Sequence, residues 1–225
     1  MNKKRTLTLL SVLLIIVGVF ILFLPQISSK IIEKRAKENV EQVENISADK
    51  LQENLNTEAE FDFDSILEIS PSQTFSISNT IDKDLILGRL FIPSIDLNLT
   101  VYNGVTNEIL HAGLGTMRPD LKMGEGNFPI AGHYSRNKNA LFGNLTAVDI
   151  GDLVYLTDND KMYEYEVYDT RVVKPTELSW IDDQVAEEHG KSVVSLMNCY
   201  YVNGKYTDNR FFVFGELIDS YPANE

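Results

Sequence analysis

With 225 residues, 44% of them hydrophobic and 10% aromatic, the chain has room for one sizeable domain with its own core plus additional segments, which excludes a disordered polymer. The formal net charge of −13 argues against a nucleic-acid partner, whose phosphates would repel it. The charge is uneven: residues 1–24 hold Lys3, Lys4 and Arg5 and no acid, leaving 17 basic against 33 acidic residues beyond them.

The first element is "TLTLLSVLLIIVGVFILFL", residues 6–24, a run of 19 residues without a charge. As a helix it spans about 28 Å, close to the hydrocarbon core of a bilayer. It is longer than the apolar region of a cleaved signal peptide, and the following "PQISSK" makes a poor cleavage site, so we expect an uncleaved anchor. The positive-inside rule then leaves the basic tip in the cytoplasm and the rest outside.

Residues 25–80 are polar, acidic and free of glycine. Within them Ile32, Ala36, Val40, Val43, Leu51 and Leu55 recur at near-helical spacing, which predicts one or two amphipathic helices between about 29 and 57. Such helices serve equally as a stalk or as a layer packed on the domain. "FDFDSILEISPSQTFSISNT" (61–80) reads as an irregular, partly extended connector broken at Pro71 and able to cover a binding cleft, although residues 58–84 show no obvious lid motif.

From Leu85 the texture changes to short β-prone runs punctuated by Gly, Pro and Asn. Strands are expected over 85–93, 97–104, 128–133, 153–158, 162–173, 192–199 and 211–218, with "TDNDK" as a hairpin turn. "NEILHAG" and "NALFGNL" suit short helical turns, and "ELSWIDDQVAEEHG" an excursion with one helical turn. The spacing points to an all-β barrel or sandwich. Three regions follow: 1–25, a basic tip and anchor; 26–84, an acidic helical stalk and connector; 85–225, the β domain.

An extracytoplasmic domain with a single cysteine raises the question of a reactive thiol, although most unpaired cysteines are buried filler. Cys199 ends one apolar run, and Arg210 opens the next after a ten-residue connection containing "NG". If the two runs pair antiparallel, thiol and guanidinium share one edge of the sheet. A positive neighbour there favours the thiolate, and an arginine also suits an oxyanion; the plain alternative is a solvated edge charge. Of three histidines, His189 sits among acids in "AEEHGK" and suits a solvated loop, while His111 suits either core or cleft. His133, in "FPIAGHYSRNKN", ends an apolar strand, where a side chain is held yet reachable. HExxH, CxxC and glycine-rich phosphate loops are absent, and "DND" lacks the rest of an EF-hand, so no metal site is expected.

These residues and the motifs around them resemble the sortases, the transpeptidases that attach proteins to Gram-positive cell walls, and among them class A. The likeness covers about residues 85–218. "LGRLFIPSIDLNLTVYNG" resembles the opening strands, "MGEGNFPIAGH" the stretch ending in the catalytic histidine, "RVVKPTEL" the start of the loop lining the signal groove, and "SLMNC" the family's TLxTC. The resemblance implies a closed, roughly eight-stranded β-barrel with short helices. It implies Cys199 as nucleophile, His133 as acid–base group and Arg210 as oxyanion or substrate holder. Ala131, Val173, Pro175, Leu178, Ile181 and Met197 fall at its groove positions.

The expected reaction cleaves an LPxTG-like signal between Thr and Gly and joins the acyl group to a cell-wall precursor amine of lipid II type. Ser195 and Asn198 depart from the family's threonines. Of the acids that bind calcium in some members only Glu125 is matched, so no cofactor is expected. The alternatives are a class D-like or pilin-assembling sortase, an anchored thiol peptidase, and a non-catalytic adhesion or assembly domain.

Overall fold

The computed structural model describes residues 3–63, 69–77 and 81–223. Helix α1 (Lys3–Glu44) is continuous for 42 residues and runs through Pro25. Its apolar first half is exposed, and among the described residues it is the one helix long and apolar enough to cross a membrane. Beyond Ser28 the helix turns one face onto the β domain. Ile32, Ala36, Val40 and Val43, spaced by four, four and three residues, are buried. Ile32 and Ala36 join the main core with Leu97 and Leu99, and Val43 joins Tyr102 and Ile109. Of the two destinations open to these helices, the packed layer is the one taken.

Side-chain amides fasten this layer. Helix ends leave carbonyls without partners, and the Asn159 amide donates to Val43 O (2.8 Å) and Ile46 O (2.9 Å) at the end of α1. Asn39 on α1 donates to Ala112 O at 3.0 Å. Helix α2 (Ala48–Asn54) is capped by Ser47, and its Asn54 donates to Lys83 O and Ile86 O at 3.0 and 2.8 Å.

Pro71 does not break the connector as expected but starts helix α3 (Pro71–Ser76). Proline is tolerated at the first helical position, where its missing N–H has no partner to lose. Ser70 and Gln73 complete a capping box around it.

Eight strands form a closed barrel: β1 (Ile86–Ile92), β2 (Leu97–Tyr102), β3 (Leu114–Thr116), β4 (Asn127–Gly132), β5 (Leu153–Thr157), β6 (Lys161–Val173), β7 (Val193–Val202) and β8 (Lys205–Pro222). Their order around the barrel is β1-β2-β3-β4-β7-β8-β6-β5. The β2–β3 and β4–β7 pairs are parallel and the others antiparallel. Strand β3 escapes the sequence pattern because three residues are too few to display alternation. Helix α4 (Asn107–Ala112) falls in the connection from β2 to β3, and a second short helix, α5 (Gln184–His189), in the connection from β6 to β7.

The expected ten-residue connection between Cys199 and Arg210 is instead a continuation of β7 and β8 around a two-residue turn. Tyr201 pairs with Tyr206 and Val202 with Lys205. Asn203 and Gly204 supply the two positive φ angles, 50° and 73°, that such a tight hairpin requires.

Candidate active site

Register alone assembles the site. Cys199 on β7 pairs directly with Arg210 on β8, and two residues back Met197 pairs with Phe212. On the other side of β7, Ala131 pairs with Met197 in the parallel ladder with β4. Continuing that register by two residues brings His133 beside Cys199. Residues two apart share a face, so His133, Cys199 and Arg210 follow one another across three strands spaced about 4.8 Å apart. All three line one cleft of about 840 Å³.

Its walls are largely apolar. Ala131, Val173, Pro175, Ile181 and Met197 all line it. Leu178 opens the 3-10 turn Leu178–Ile181, and its side chain lies outside the described residues. Val173 ends β6 opposite Arg210, which joins the groove to the same edge of the barrel.

The glycine before His133 has a packing reason. A Cβ on Gly132 would stand 2.4 Å from the Phe142 ring and 2.7 Å from a Leu114 methyl. The Phe142 N–H donates to His133 O at 3.1 Å, and the Asn198 amide donates to Phe142 O at 2.9 Å. Asn198, the departure from the family motif next to Cys199, thus ties the strand that carries Cys199 to the loop that follows His133. Ser195, the other departure, keeps a hydroxyl that donates to Asn127 Oδ1 at 2.7 Å. The Asn127 amide in turn holds Trp180 O and Asp182 O at 3.2 and 3.0 Å.

His133 lines the cleft but is only 4% exposed. Burial, and secondly the charge of His111, push its pKa down to about 3, so the resting ring is neutral at neutral pH. Cys199 and Arg210 are half-buried. The Arg210 guanidinium donates to Tyr206 Oη (3.3 Å), Asn209 O (3.3 Å) and Asp208 O (3.4 Å). Among the described residues no carboxylate pairs with it, so its charge is available to the cleft.

Two further groups join the site: the connector, which the sequence left open as a cover for a cleft, and an aromatic cluster. Phe61, Asp62, Phe63 and Ile69, from the connector, line the cleft. The connector is tied there by a parallel bridge from Phe61 to Val105 and by Asp62 N donating to Val105 O at 2.9 Å. The alternation of "FDF" was the available signal. The second group is aromatic: Tyr134 stacks on Tyr201 at 4.0 Å, and Tyr206 meets Tyr201 edge-on at 5.5 Å. His189 takes no part. Its ring stacks on Tyr168, and its Nε2 lies 2.5 Å from Glu216 Oε2. Glu125 is ion-paired with Lys122.

The sortase-domain family model matches residues 90–218. The chain is 34% identical to sortase A of Listeria monocytogenes over 208 residues, 92% of this chain and 90% of the relative. The chain belongs to the sortase family. It is therefore a cysteine transpeptidase by class. The solved sortase A of Listeria monocytogenes matches with a TM-score of 0.55 at 37% identity, over 61% of this chain and 90% of that one. Sortase C-3 of Streptococcus pneumoniae shares the fold, with a TM-score of 0.62 at 22% identity over 85% of this chain and 94% of that one.

Proposed function

We propose that this sortase is anchored by α1, with its barrel outside the membrane, and that Cys199, His133 and Arg210 are its reacting groups. It cleaves an LPxTG-like sorting signal between Thr and Gly and joins the acyl group to an amine of a cell-wall precursor. The observation that carries the reading is the three-strand sequence His133–Cys199–Arg210 beside an apolar cleft. Residues 85–225 form the catalytic unit, residues 1–25 the tip and anchor, and residues 26–84 the layer and connector between them.

Cys199 Sγ passes its proton to His133 and attacks the threonine carbonyl carbon. The oxyanion that forms faces the Arg210 guanidinium. Collapse breaks the C–N bond; the departing glycine amine takes the proton from His133, and a thioester remains on Cys199. An incoming amine then attacks the thioester and gives a proton to His133. The second collapse expels the Cys199 thiolate, which recovers that proton.

Burial of His133 suits both halves of this cycle. An imidazolium is tolerated in a desolvated place only while the thiolate stands beside it. Once the C–S bond has consumed that negative charge, the imidazolium becomes a strong acid toward the leaving amine. The leucine and proline of the signal meet the apolar wall of Ala131, Val173, Pro175, Ile181 and Met197. Every step uses protein side chains, so we expect chelation with EDTA to leave the rate unchanged.

The test uses the full chain in lipid nanodiscs, because truncation at residue 60 would strip Ile32 and Val43 from the core. The chain is incubated with an LPxTG peptide and an amine, and the products are followed by mass spectrometry. Amine-dependent ligation lost in Cys199→Ala is expected. Ligation that persists in Cys199→Ala overturns the mechanism, and cleavage indifferent to the amine makes the protein a hydrolase.

A further inference from the structure

The mechanism leaves one buried titratable group beside the site unused. His111, on α4, presses against His133 with ring centroids 4.9 Å apart and planes at 83°. The His111 ring is 3% exposed, so both imidazoles are out of water. Each ring has a buried Nε2 with no hydrogen-bond partner. Two adjacent orphans are costly if nothing ever satisfies them.

The His111 tautomer is settled by its other nitrogen. Nδ1 lies 2.8 Å from Asn107 O, and a carbonyl only accepts, so Nδ1 carries the hydrogen. Neutral His111 therefore presents a bare lone pair at Nε2. To take a proton from Cys199 at one nitrogen, neutral His133 must carry its hydrogen on the other, and charging of the ring strengthens that second N–H as a donor. The orphan acceptor on His111 and this donor on His133 are complementary.

We propose that His111 is a positioning residue for His133, its Nε2 accepting the hydrogen bond that His133 offers when it takes the proton from Cys199. This gives the nucleophile and base a third group that orients the base, the logic of a catalytic triad with an imidazole in the third place. His111 acts through His133 and does not touch the substrate. The inference rests on His133 being the acid–base group.

The charges around the pair fit the role. Burial lowers the pKa of His111; Asn107 O and the neighbouring Glu108 act against this, and Arg35, reaching from α1, acts with it. Arg35 is itself held by donating to Thr74 O at 3.0 Å on α3. On the His133 side stand Cys199, Arg210 and Asp62, all lining the cleft. Both rings are thus uncharged in the resting enzyme at neutral pH, the proton taken from Cys199 is the one extra proton the pair holds, and a second is opposed by burial and by like charge.

The experiment measures kcat, KM and the pH profile of ligation in full-length protein for wild type, His111→Phe, His111→Leu and His111→Gln. Rates are normalised to the folded fraction read from thermal melts. Phenylalanine and leucine fill the site without an acceptor, whereas glutamine restores a carbonyl oxygen. The expected result is kcat lowered about tenfold in His111→Phe and His111→Leu with KM little changed, a shifted acid limb, and substantial recovery in His111→Gln. Wild-type kcat and pH profile in either acceptor-less variant overturn the proposal, as does a His111→Gln enzyme no better than His111→Phe. An inactive wild type counts against the proposed reaction itself, whereas an active wild type with active His111→Phe counts only against His111.

Discussion

Strands β7 and β8 and the helix α1 all bury apolar side chains, but they differ in where the information for that burial lies. In β7 the run "VVSLMNC" is bounded by turn signals, and its pairing with β8 follows from a tight Asn-Gly turn close in sequence. The contacts that count are therefore local. In α1 the stripe Ile32–Ala36–Val40–Val43 is equally regular, yet its partners stand tens of residues away on β2 and α4. A periodic stripe says that a helix has a wet face and a dry face. It does not say what covers the dry one.

The comparison is broken most severely at the site that the local pairing builds. His133→Ala and Arg210→Ala are each expected to lower kcat/KM for ligation by about 10²–10³ in steady-state assays, with folding retained. Near-wild-type turnover in either variant would mean that the cross-strand register carries no catalytic consequence.

The next effect tests the long-range half. Ile32 is 1% exposed in the main core, so Ile32→Ala is expected to cost about 2–5 kcal/mol, read from denaturant melts of the solubilised full chain. No loss of stability would return α1 to the role of a free stalk. Smaller again is Asn198→Ala, which removes the shorter of two hydrogen bonds to the Phe142 carbonyl and leaves the one from Leu145 N–H at 3.4 Å, at about 0.5–1.5 kcal/mol.

Acid gives a further probe, spread over a range of pH. His133 has a lower pKa folded than unfolded, so the unfolded chain binds the extra proton as pH falls below the ordinary value near 6.5. The stability that His133 confers by staying neutral is complete above that value and is lost progressively toward about pH 3. Between about pH 6 and 4, wild type should lose stability faster than His133→Gln by about 1.4 kcal/mol per pH unit. Equal slopes would show that His133 charges freely in the folded state.

Much of this was legible beforehand, for identifiable reasons. Seven of the eight strands show in the alternation and turn residues, and Cys199, Arg210 and His133 stand out as rare or charged groups at the ends of apolar runs. The five groove positions with described side chains, from Ala131 to Met197, line the same cleft as Cys199. What stayed hidden depends on contacts distant in sequence. The parallel β4–β7 pairing that brings His133 to Cys199 crosses some sixty residues of intervening chain. Phe61 and Asp62 reach the cleft through Val105, and nothing in "FDFD" names that partner. Pro71 was misread because a proline that starts a helix and one that stops it look alike without the Ser70–Gln73 box. Asn198 looked anomalous until the Phe142 carbonyl supplied its reason.

The central claim is that Cys199, set between His133 and Arg210, takes an acyl group from the peptide. Intact-mass spectrometry of the full-length protein, quenched in acid after mixing with an LPxTG peptide without amine, tests it most directly. The account predicts an adduct equal to the peptide up to its threonine, mapped to Cys199, absent in Cys199→Ala and discharged on adding an amine. Peptide cleavage with no adduct on Cys199 at any quench time, or an adduct that survives in Cys199→Ala, would contradict it.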